Sequence, residues 1–312
     1  MPRASYEGYD IIGDLHGHAD ALKQLLDRLG YQHRQGRYQH PERQVIFLGD
    51  FIDRGPQQLE VLRIVQDMVL AGSAQAVMGN HELNALGWFF ADEQGKPLRS
   101  HTDKNYEQHK AFLDAVGEGS AQHREWIEWF LTLPLWLKQD NLQLVHACWC
   151  EASMETLLPL LNENLSLQDA TFQPLFKKGH PAYTAAETLL KGVEMELPEG
   201  HGFSDKDGNL RFEARLRWWL ADQPQLSLPQ AAILPPEKAL SLPDLSVAEH
   251  LDPYRNISRP TFVGHYWLSG TPEPLTASIA CLDYSIGKGG QLVAYRYDGE
   301  ETLDKNKFVA HC

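Results

Sequence analysis

Three short apolar segments near the start of the chain each end in a glycine that is followed by a side chain able to bind a metal ion. The segments are 9–12, 44–48 and 75–78, and the residues that follow them are Gly13-Asp14, Gly49-Asp50 and Gly79-Asn80. Helical patterns lie between them at 18–29 and 57–70, and this β–α–β–α–β order is typical of parallel strands joined by right-handed crossovers. Because the carboxyl ends of parallel strands lie at one edge of a sheet, the sequence predicts that Asp14, Asp50 and Asn80 converge there.

The rest of the chain predicts further elements around an irregular middle. Helical patterns cover 104–116, 121–131, 152–162 and 182–190. Apolar segments at 142–145 and 261–263 predict two strands, and 277–284 with 291–297 predicts a closing antiparallel hairpin. From about 150 to 259 prolines and glycines interrupt the pattern, which favours a region inserted into the core.

The first motif, Gly-Asp-Leu-His-Gly, places two metal-binding side chains one residue apart. In an extended segment Asp14 and His16 would lie on the same face, where both can hold one metal ion. A simple turn after a strand is the other interpretation of this motif. In the next two motifs Asp50 can bridge two cations with its two oxygens, and Asn80 supplies a neutral oxygen ligand.

Three charged or titratable residues next to these ligands are suited to phosphate chemistry. Asp53 and Arg54 complete the motif Gly-Asp-Phe-Ile-Asp-Arg-Gly, and His81 follows Asn80 in Gly-Asn-His-Glu, where it is placed to reach a reacting group. The other interpretation of Asp53 and Arg54 is a surface ion pair at the start of a helix.

Taken together, the GDxHG, GDxxDRG and GNHE motifs resemble the metallophosphoesterase superfamily. Their spelling is nearest to the phosphoprotein phosphatase branch, which includes serine/threonine protein phosphatases and the symmetrical diadenosine tetraphosphate hydrolases of bacteria. The resemblance covers about 8–150 and 260–300. It implies an α/β fold with β-sheets flanked by helices in an αββα-like order. Residues 1–150 and 260–312 would form this core, and 151–259 would form an inserted cap that selects the substrate.

The resemblance also implies a two-metal ligand set. The first ion would be held by Asp14, His16 and Asp50, and the second by Asp50, Asn80, His146 and His265. His146 follows the predicted strand 142–145, with Cys148 where the family usually has glycine. His265 follows 261–263, with Trp267 where the GHxH subclass places another ligand. A hydrogen-bonded structural role is the alternative for a histidine at a strand end. We assign a surface or loop position to His18, His101, His109, His180, His201 and His250.

The same resemblance implies the catalytic roles. Arg54 would bind phosphoryl oxygens, His81 would protonate the leaving oxygen, and Asp53 would orient His81. A further arginine is expected in the phosphate site from the segment between the two late histidines. Five arginines qualify, and proximity to the last strand favours the final two: Arg211, Arg215, Arg217, Arg255 and Arg259.

The types of ligand favour two Mn²⁺ ions as the divalent cations. Imidazole and oxygen ligands without thiolate suit manganese or iron and permit zinc, whereas magnesium tolerates histidine less well. Two such ions lower the pKa of a bridging water and so provide hydroxide for an in-line attack on phosphorus.

Composition restricts the partners. The formal net charge of −14, without a basic block, argues against nucleic acid and anionic lipid, although bound cations can still attract one phosphate group. No apolar run approaches the ~20 residues of a membrane span. The first residues lack the features of a secretory signal, so we expect a cytoplasmic protein. Four scattered cysteines predict reduced thiols rather than a disulfide framework. The oligomeric state is left open.

Three functions are compatible with this set of residues. The leading hypothesis is a phosphatase for phosphate monoesters, with phosphoserine or phosphothreonine in a phosphoprotein, or a small phosphorylated molecule, as substrate. The alternative is a dinucleoside polyphosphate hydrolase, which needs extra cations and a nucleobase site; the basic segment 211–219 could supply them. Packing is the favoured role of Trp218 and Trp219, and base stacking is the alternative. A catalytically silent metal-binding module is disfavoured because every ligand is present.

Overall fold

A computed structural model describes residues 6–139, 141–168, 171–204 and 210–312. Its strands are β1 (Gly8–Ile12), β2 (Gln32–Arg34), β3 (Arg37–Gln39), β4 (Arg43–Phe47), β5 (Ala74–Ala76), β6 (Trp136–Gln139), β7 (Leu142–Val145), β8 (Glu194–Glu196), β9 (Phe203–Ser204), β10 (Leu210–Arg211), β11 (Glu213–Arg215), β12 (Thr261–Val263), β13 (Ile279–Cys281), β14 (Asp283–Tyr284), β15 (Gln291–Tyr297) and β16 (Phe308–Ala310).

Its α-helices are α1 (Ala19–Arg28), α2 (Gln58–Leu70), α3 (Asn80–Phe89), α4 (Asp103–Val116), α5 (Ala121–Leu131), α6 (Glu151–Leu157), α7 (Pro181–Lys191), α8 (Leu228–Ala231), α9 (Pro236–Ala239) and α10 (Ala248–Leu251). Single 3₁₀ turns lie at Leu158–Leu160, Gln173–Phe176, Trp218–Leu220, Asp252–Tyr254, Ile286–Lys288 and Lys305–Lys307. No helix within the described ranges is both long and apolar enough to cross a membrane.

The first sheet contains the three predicted parallel strands. Its order is β14-β15-β1-β4-β5, with β16 pairing with β15. Strands β1, β4 and β5 are parallel, as predicted, and β15 runs antiparallel to β1. The carboxyl ends of β1, β4 and β5 therefore share one edge of this sheet.

The second sheet contributes the two late histidines. Its order is β13-β12-β7-β6, in which β13, β12 and β7 are parallel and β6 is antiparallel to β7. His146 follows β7 directly, and His265 lies two residues after β12. Both histidines are buried.

The two sheets pack face to face, and the helices cover their outer faces. Alternation in β1 sends Tyr9 and Ile11 toward the second sheet, where they share an apolar cluster with Leu144 and Phe262, while Ile12 joins the larger cluster that includes the helices. This arrangement confirms the α/β fold with sheets flanked by helices.

Two of the predicted elements differ from those observed. The predicted strand 277–284 is divided: β13 pairs with β12 in the second sheet, whereas β14 pairs with β15 in the first. The predicted hairpin therefore holds only for β14. A continuous apolar pattern does not reveal which sheet each half joins. The predicted helix 152–162 ends at Leu157 and continues as a 3₁₀ turn, since Pro159 cannot donate a helical hydrogen bond.

The middle region, 151–259, consists of short elements. Helices α6 and α7 pack together, and two small antiparallel pairs form, β8 with β11 and β9 with β10. Backbone N–H of Ala147 donates to Leu189 O at 2.9 Å, and Trp218 Nε1 donates to Tyr266 Oη at 2.8 Å. These bonds attach the region to the loops that follow β7 and β12.

Candidate two-metal site

The site lies where the carboxyl ends of both sheets meet, and its backbone is strained. Six non-glycine residues have positive φ angles there: His16 (41°), Asp50 (52°), Asp53 (70°), Arg54 (72°), His265 (74°) and Trp267 (54°). Such angles are uncommon outside glycine and cluster at functional sites. The surrounding hydrogen bonds must therefore hold these residues in place.

Asp14 and His16 lie close together, but for a different reason than strand alternation. Strand β1 ends at Ile12, and the backbone N–H groups of Leu15 and His16 both donate to Asp50 O, at 3.0 and 2.9 Å. The resulting left-handed turn brings His16 Nε2 to 3.9 Å from Asp14 Oδ2.

Glycine is required where these loops approach one another. A Cβ atom on Gly264 would lie 2.0 Å from Asp14 Oδ1, and one on Gly49 would lie 2.4 Å from the backbone nitrogen of Gly79. Side chains at either position would force apart the loops that carry the candidate metal ligands.

His16 presents an unprotonated nitrogen to the site. Its Nδ1 donates to Ile52 O at 2.9 Å, which leaves the lone pair of Nε2 directed at the carboxylates of Asp14 and Asp50. Burial lowers the pKa of His16 to about 3, and the neighbouring His81 acts in the same direction. A backbone carbonyl that fixes the tautomer in this way is typical of metal-bound histidine.

His146 is oriented in the same manner. Its Nδ1 donates to Leu48 O at 2.7 Å, while Nε2 lies 3.1 Å from Asn80 Oδ1 and 3.4 Å from Asp50 Oδ2. Burial acts to lower the pKa of His146, but the carboxylates of Asp50 and Asp14 and the carbonyl of Leu48 together outweigh it and raise this pKa to about 10. Three acceptors thus converge on one point, which requires either a proton or a cation between them.

The donor atoms form two groups that share Asp50. One group contains His16, Asp50 and His81, and the other contains Asp50, His146 and His265; within each group the ligand atoms lie within 4.8 Å of one another. Both ring nitrogens of His265 and Nε2 of His16 are buried without a hydrogen-bond partner among the described residues. These orphaned nitrogens and the shared carboxylate fit a pair of divalent cations. The structure brings the six predicted ligands close together. His81, which was predicted as a catalytic residue, lies beside His16 and Asp50.

Asp14 lies near two other carboxylates, and His146 offsets part of their effect. Burial raises its pKa well above the ordinary value, and the carboxylates of Asp283 and Asp50 act in the same direction. Its oxygens accept the backbone N–H of His265 at 3.2 Å. A cation at this position would relieve the repulsion.

Glu82, the last residue of GNHE, connects two of the strand ends, a role that sequence reasoning missed. Its Oε2 accepts the backbone N–H groups of Asp50 at 2.8 Å and Gly79 at 2.9 Å, and Oε1 accepts that of Phe51 at 2.8 Å. The glutamate also caps helix α3 through its third position, which is a detectable sequence signal.

Asp53 lies between two histidines. Its Oδ2 is 2.5 Å from His81 Nδ1, and its Oδ1 is 2.9 Å from His109 Nδ1. Burial alone would raise the pKa of Asp53, but His109 and His81 together bring it below its usual range. The surface or loop position predicted for His109 is wrong, because the residue is fully buried on α4. A histidine on a helix offers no strand-end signal.

Arg54 is held over an aromatic ring. Its guanidinium carbon lies 4.2 Å from the ring centroid of Trp267, and Lys288 Nζ lies 4.5 Å from the same centroid. The Trp267 ring stacks in turn on His16, with centroids 5.7 Å apart. Trp267 thus brings two cations next to the metal-binding residues.

The preferred additional arginines lie elsewhere. Arg255 pairs with Asp252 at 3.4 Å, and Arg255 and Arg259 line a surface cavity with Trp149 and Glu151 that includes none of the metal-binding residues. Arg215 on β11 is the arginine whose charge, after burial, contributes to lowering the pKa of His265. Proximity along the chain was the wrong criterion, since the middle region folds back over the second sheet.

The two tryptophans of segment 211–219 are packed, whereas Phe212 is 60% exposed. Trp218 is 0% and Trp219 is 8% exposed, and Trp219 makes an edge contact with Tyr266. Arg217 donates to the carbonyls of Gln230 and Ala232. Neither tryptophan offers a free face for a nucleobase.

Two curated relatives are named asymmetrical bis(5'-nucleosyl)-tetraphosphatase PrpE. The protein from Halalkalibacterium halodurans is 51% identical over 74 residues, which is 23% of this chain and 30% of the relative. The protein from Oceanobacillus iheyensis is 35% identical over 139 residues, which is 44% of this chain and 54% of the relative. The chain therefore spans about half or less of the length of these relatives.

Among solved structures, the fold is similar to a protein serine/threonine phosphatase from Saccharomyces cerevisiae that itself resembles human phosphatase PP5. The TM-score is 0.53 at 13% identity, covering 97% of this chain and 78% of the yeast protein. The calcineurin-like phosphoesterase family matches residues 9–218, which is more than half of the chain and includes all three motifs. The chain therefore belongs to the calcineurin-like phosphoesterase family.

Proposed function

We propose that this chain is a metal-dependent phosphoric ester hydrolase that cleaves dinucleoside polyphosphates. The observation that carries the reaction type is the pair of donor groups sharing Asp50, with the His81–Asp53 pair and Arg54 beside them. The names of the two relatives support the substrate class, and they favour the alternative over the monoester hypothesis of the sequence.

The proposed ligands are Asp14, His16, Asp50, Asn80, His146 and His265, and the proposed cations are two Mn²⁺ ions. Neutral imidazoles with carboxylate and amide oxygens suit manganese, and no thiolate is present in either donor group. Divalent cations supply Lewis-acid chemistry: they stabilise negative charge on phosphoryl oxygens and make a nucleophile available at neutral pH.

The side chains perform the remaining work. The planar guanidinium of Arg54 binds two phosphoryl oxygens at once, and its position over Trp267 limits its orientations. Burial acts to lower the pKa of His81, but the carboxylates of Asp50 and Asp53 raise it, which favours the protonated ring. His81 then donates a proton from Nε2 to the leaving oxygen.

Extra cations near Arg54 support a substrate with several phosphates. A cavity of about 590 Å³ is lined by Arg54 together with Lys104 and Lys110 of α4, and the carboxylates of Glu107 and Asp114 line it as well, so its three cations exceed its two anions. A monoester has only one phosphate group to place, whereas a polyphosphate chain extends beyond it. Region 151–259, through Arg215, would select the substrate from the side of His265.

The experiment compares three substrates with Mn²⁺: diadenosine tetraphosphate, p-nitrophenyl phosphate and a phosphothreonine peptide. We expect the dinucleotide to give the largest kcat/KM, with ATP and AMP as products of asymmetrical cleavage. His81→Asn should lose about 10²-fold in kcat, and the exposed His33→Asn should not.

Two outcomes would reverse this proposal. Cleavage of the peptide and the small ester without cleavage of the dinucleotide would overturn the substrate class and restore the monoester hypothesis. Metal-loaded protein that cleaves none of the three would overturn the hydrolase assignment.

A further inference from the structure

His109 occupies a position that the proposed chemistry does not yet use. Its ring is fully buried on α4, and its Nδ1 lies 2.9 Å from Asp53 Oδ1. His81 holds the other oxygen of the same carboxylate, with Nδ1 at 2.5 Å from Oδ2. Each oxygen of Asp53 therefore accepts a hydrogen bond from a different imidazole.

We propose that His109 is a positioning residue that fixes the Asp53 carboxylate so that His81 Nε2 faces the reacting phosphoryl group. This inference rests on the proposed role of His81 as the proton donor. A carboxylate held at one oxygen still rotates about its Cβ–Cγ bond. When both oxygens accept a hydrogen bond, the carboxylate plane is fixed, and the ring of His81 is fixed with it.

The backbone of Asp53 is constrained as well. Gln58 Oε1 accepts the backbone N–H of Asp53 at 2.7 Å, and the residue has a φ angle of 70°. Gln58 also donates from Nε2 to Gly55 O at 2.6 Å. Position and rotation of the carboxylate are thus set by separate contacts, Gln58 for the main chain and His109 for the side chain.

The surroundings of His109 hold its ring in one orientation. Its centroid lies 5.1 Å from that of Phe112 and 5.9 Å from that of Trp88. Its Nε2 is buried and has no partner among the described residues, so Nδ1 is the protonated nitrogen. Nδ1–H donates a hydrogen bond to Asp53 Oδ1. The histidine is therefore held by packing on α4, and this helix determines the direction of the Asp53–His81 pair.

The consequence for the reaction concerns the leaving group. As water oxygen forms the new bond to phosphorus and releases a proton to solvent, the bond from phosphorus to the leaving oxygen breaks, and that oxygen keeps the electron pair. His81 Nε2 supplies the proton that neutralises it, while Nδ1–H stays bonded to Asp53. A poor leaving group needs this proton, and p-nitrophenolate does not.

The test measures kcat/KM for substituted phenyl phosphates of rising leaving-group pKa, or for the phenyl esters of AMP if monoesters are not cleaved. His109→Leu removes the donor at similar volume, and His109→Asn retains a donor near the position of Nδ1. His123→Leu is the matched control, because His123 is also buried, contacts Phe112 at 5.6 Å, and has no bond to Asp53. Circular dichroism verifies that each variant is folded.

We expect His109→Leu to reduce activity about 10- to 100-fold with unactivated phenyl esters and only a few-fold with p-nitrophenyl esters. His109→Asn should recover most of the lost activity. His123→Leu should lower kcat/KM equally for all substrates or leave it unchanged. An equal loss with every leaving group in His109→Leu would overturn the positioning role.

A spectroscopic measurement separates this inference from the proposed function. Nitrogen-15 spectra of histidine-labelled, metal-free protein report the hydrogen bond at His81 Nδ1 without any turnover. His109→Leu should shift that signal and His123→Leu should leave it in place. An unchanged His81 signal in His109→Leu would overturn the inference even in an active enzyme. A shifted signal in a protein that hydrolyses nothing would support the geometry and reject the hydrolase proposal.

Discussion

Asp10 and Asp14 are both buried and lie four residues apart, yet the protein treats their charges in opposite ways. Asp10 on β1 accepts from Arg43 Nε at 3.1 Å, Arg296 Nε at 3.2 Å and Tyr31 Oη at 3.0 Å. Asp14, on the loop after β1, has no lysine or arginine within 4.0 Å among the described residues; its nearest basic group is His16 at 3.9 Å.

The difference separates structural from functional charge. A buried carboxylate that only serves the fold is matched by protein cations, because an unpaired buried charge costs several kcal/mol. Asp14 and Asp50 instead lie within 4.0 Å of the Nε2 atoms of buried histidines, His16 for both and His146 for Asp50. No lysine or arginine among the described residues pairs with Asp14, and the proposed divalent cation would supply positive charge there.

The largest effect is expected at Asp50, the residue common to both donor groups. Asp50→Asn removes the shared negative charge and leaves one oxygen. We expect Mn²⁺-dependent kcat/KM to fall at least about 10³-fold, together with the bound metal measured by mass spectrometry. The exposed Asp67→Asn should keep both values, and full activity in Asp50→Asn would contradict the two-metal assignment.

Asp10→Asn tests the structural half of the comparison. The change leaves the buried Arg43 with only Asp298 as an acidic partner, so the free energy of unfolding should fall by about 3 kcal/mol. Urea unfolding measures this loss. Below the unfolding transition kcat/KM should stay near the wild-type value, and a loss of activity without a loss of stability would mean that Asp10 also serves the site.

Asp14→Asn should have the opposite effect in metal-free protein. We expect it to increase the free energy of unfolding by about 1 kcal/mol at neutral pH. The raised pKa of Asp14 means that its carboxyl stabilises the fold below its ordinary pKa, and that this contribution is lost as pH rises through the raised value. The advantage of the variant over wild type should therefore grow with pH. Urea unfolding with a chelator tests this.

Saturating Mn²⁺ should reverse that order, because only the wild type keeps the full ligand set and ligand binding stabilises the native state. A metal-free Asp14→Asn protein that is less stable than wild type would remove the distinction between Asp10 and Asp14.

The sequence predicted the fold well where local signals agree with the sheet. The three parallel strands and the strand before His265 follow from short apolar segments with glycine at their ends, and the strand before His146 follows from an apolar segment alone. The division of 277–284 between two sheets does not follow from the local sequence, because strands distant in the chain determine the pairing of each half. The role of Trp267 likewise depends on which loops the two sheets bring together.

For the site, the proposed ligands within the three motifs were found, and the contributors His109 and Arg215 outside the motifs were not assigned to it. Asp14, His16, Asp50 and Asn80 carry a motif, and the structure brings them together. His109 reaches Asp53 from α4, 56 positions further along the chain, and Arg215, on a small strand in the middle region, contributes to lowering the pKa of His265. Both effects depend on tertiary packing that no spacing in the sequence encodes.

The smallest effect is expected at Arg296, the more exposed of the two cations on Asp10. Its side chain is 34% exposed, so solvent screens the ion pair, and Arg43 and Tyr31 stay in place when it is removed. Arg296→Gln should cost less than about 1 kcal/mol of unfolding free energy, with a smaller loss at high salt. The double variant with Asp10→Asn should lose less unfolding free energy than the two single variants combined, because both substitutions remove the same ion pair. If Arg296→Gln alone lowered the unfolding free energy as much as Asp10→Asn, the stabilisation of the Asp10 carboxylate would depend on one partly exposed arginine. The difference between Asp10 and Asp14 would then be smaller than we infer.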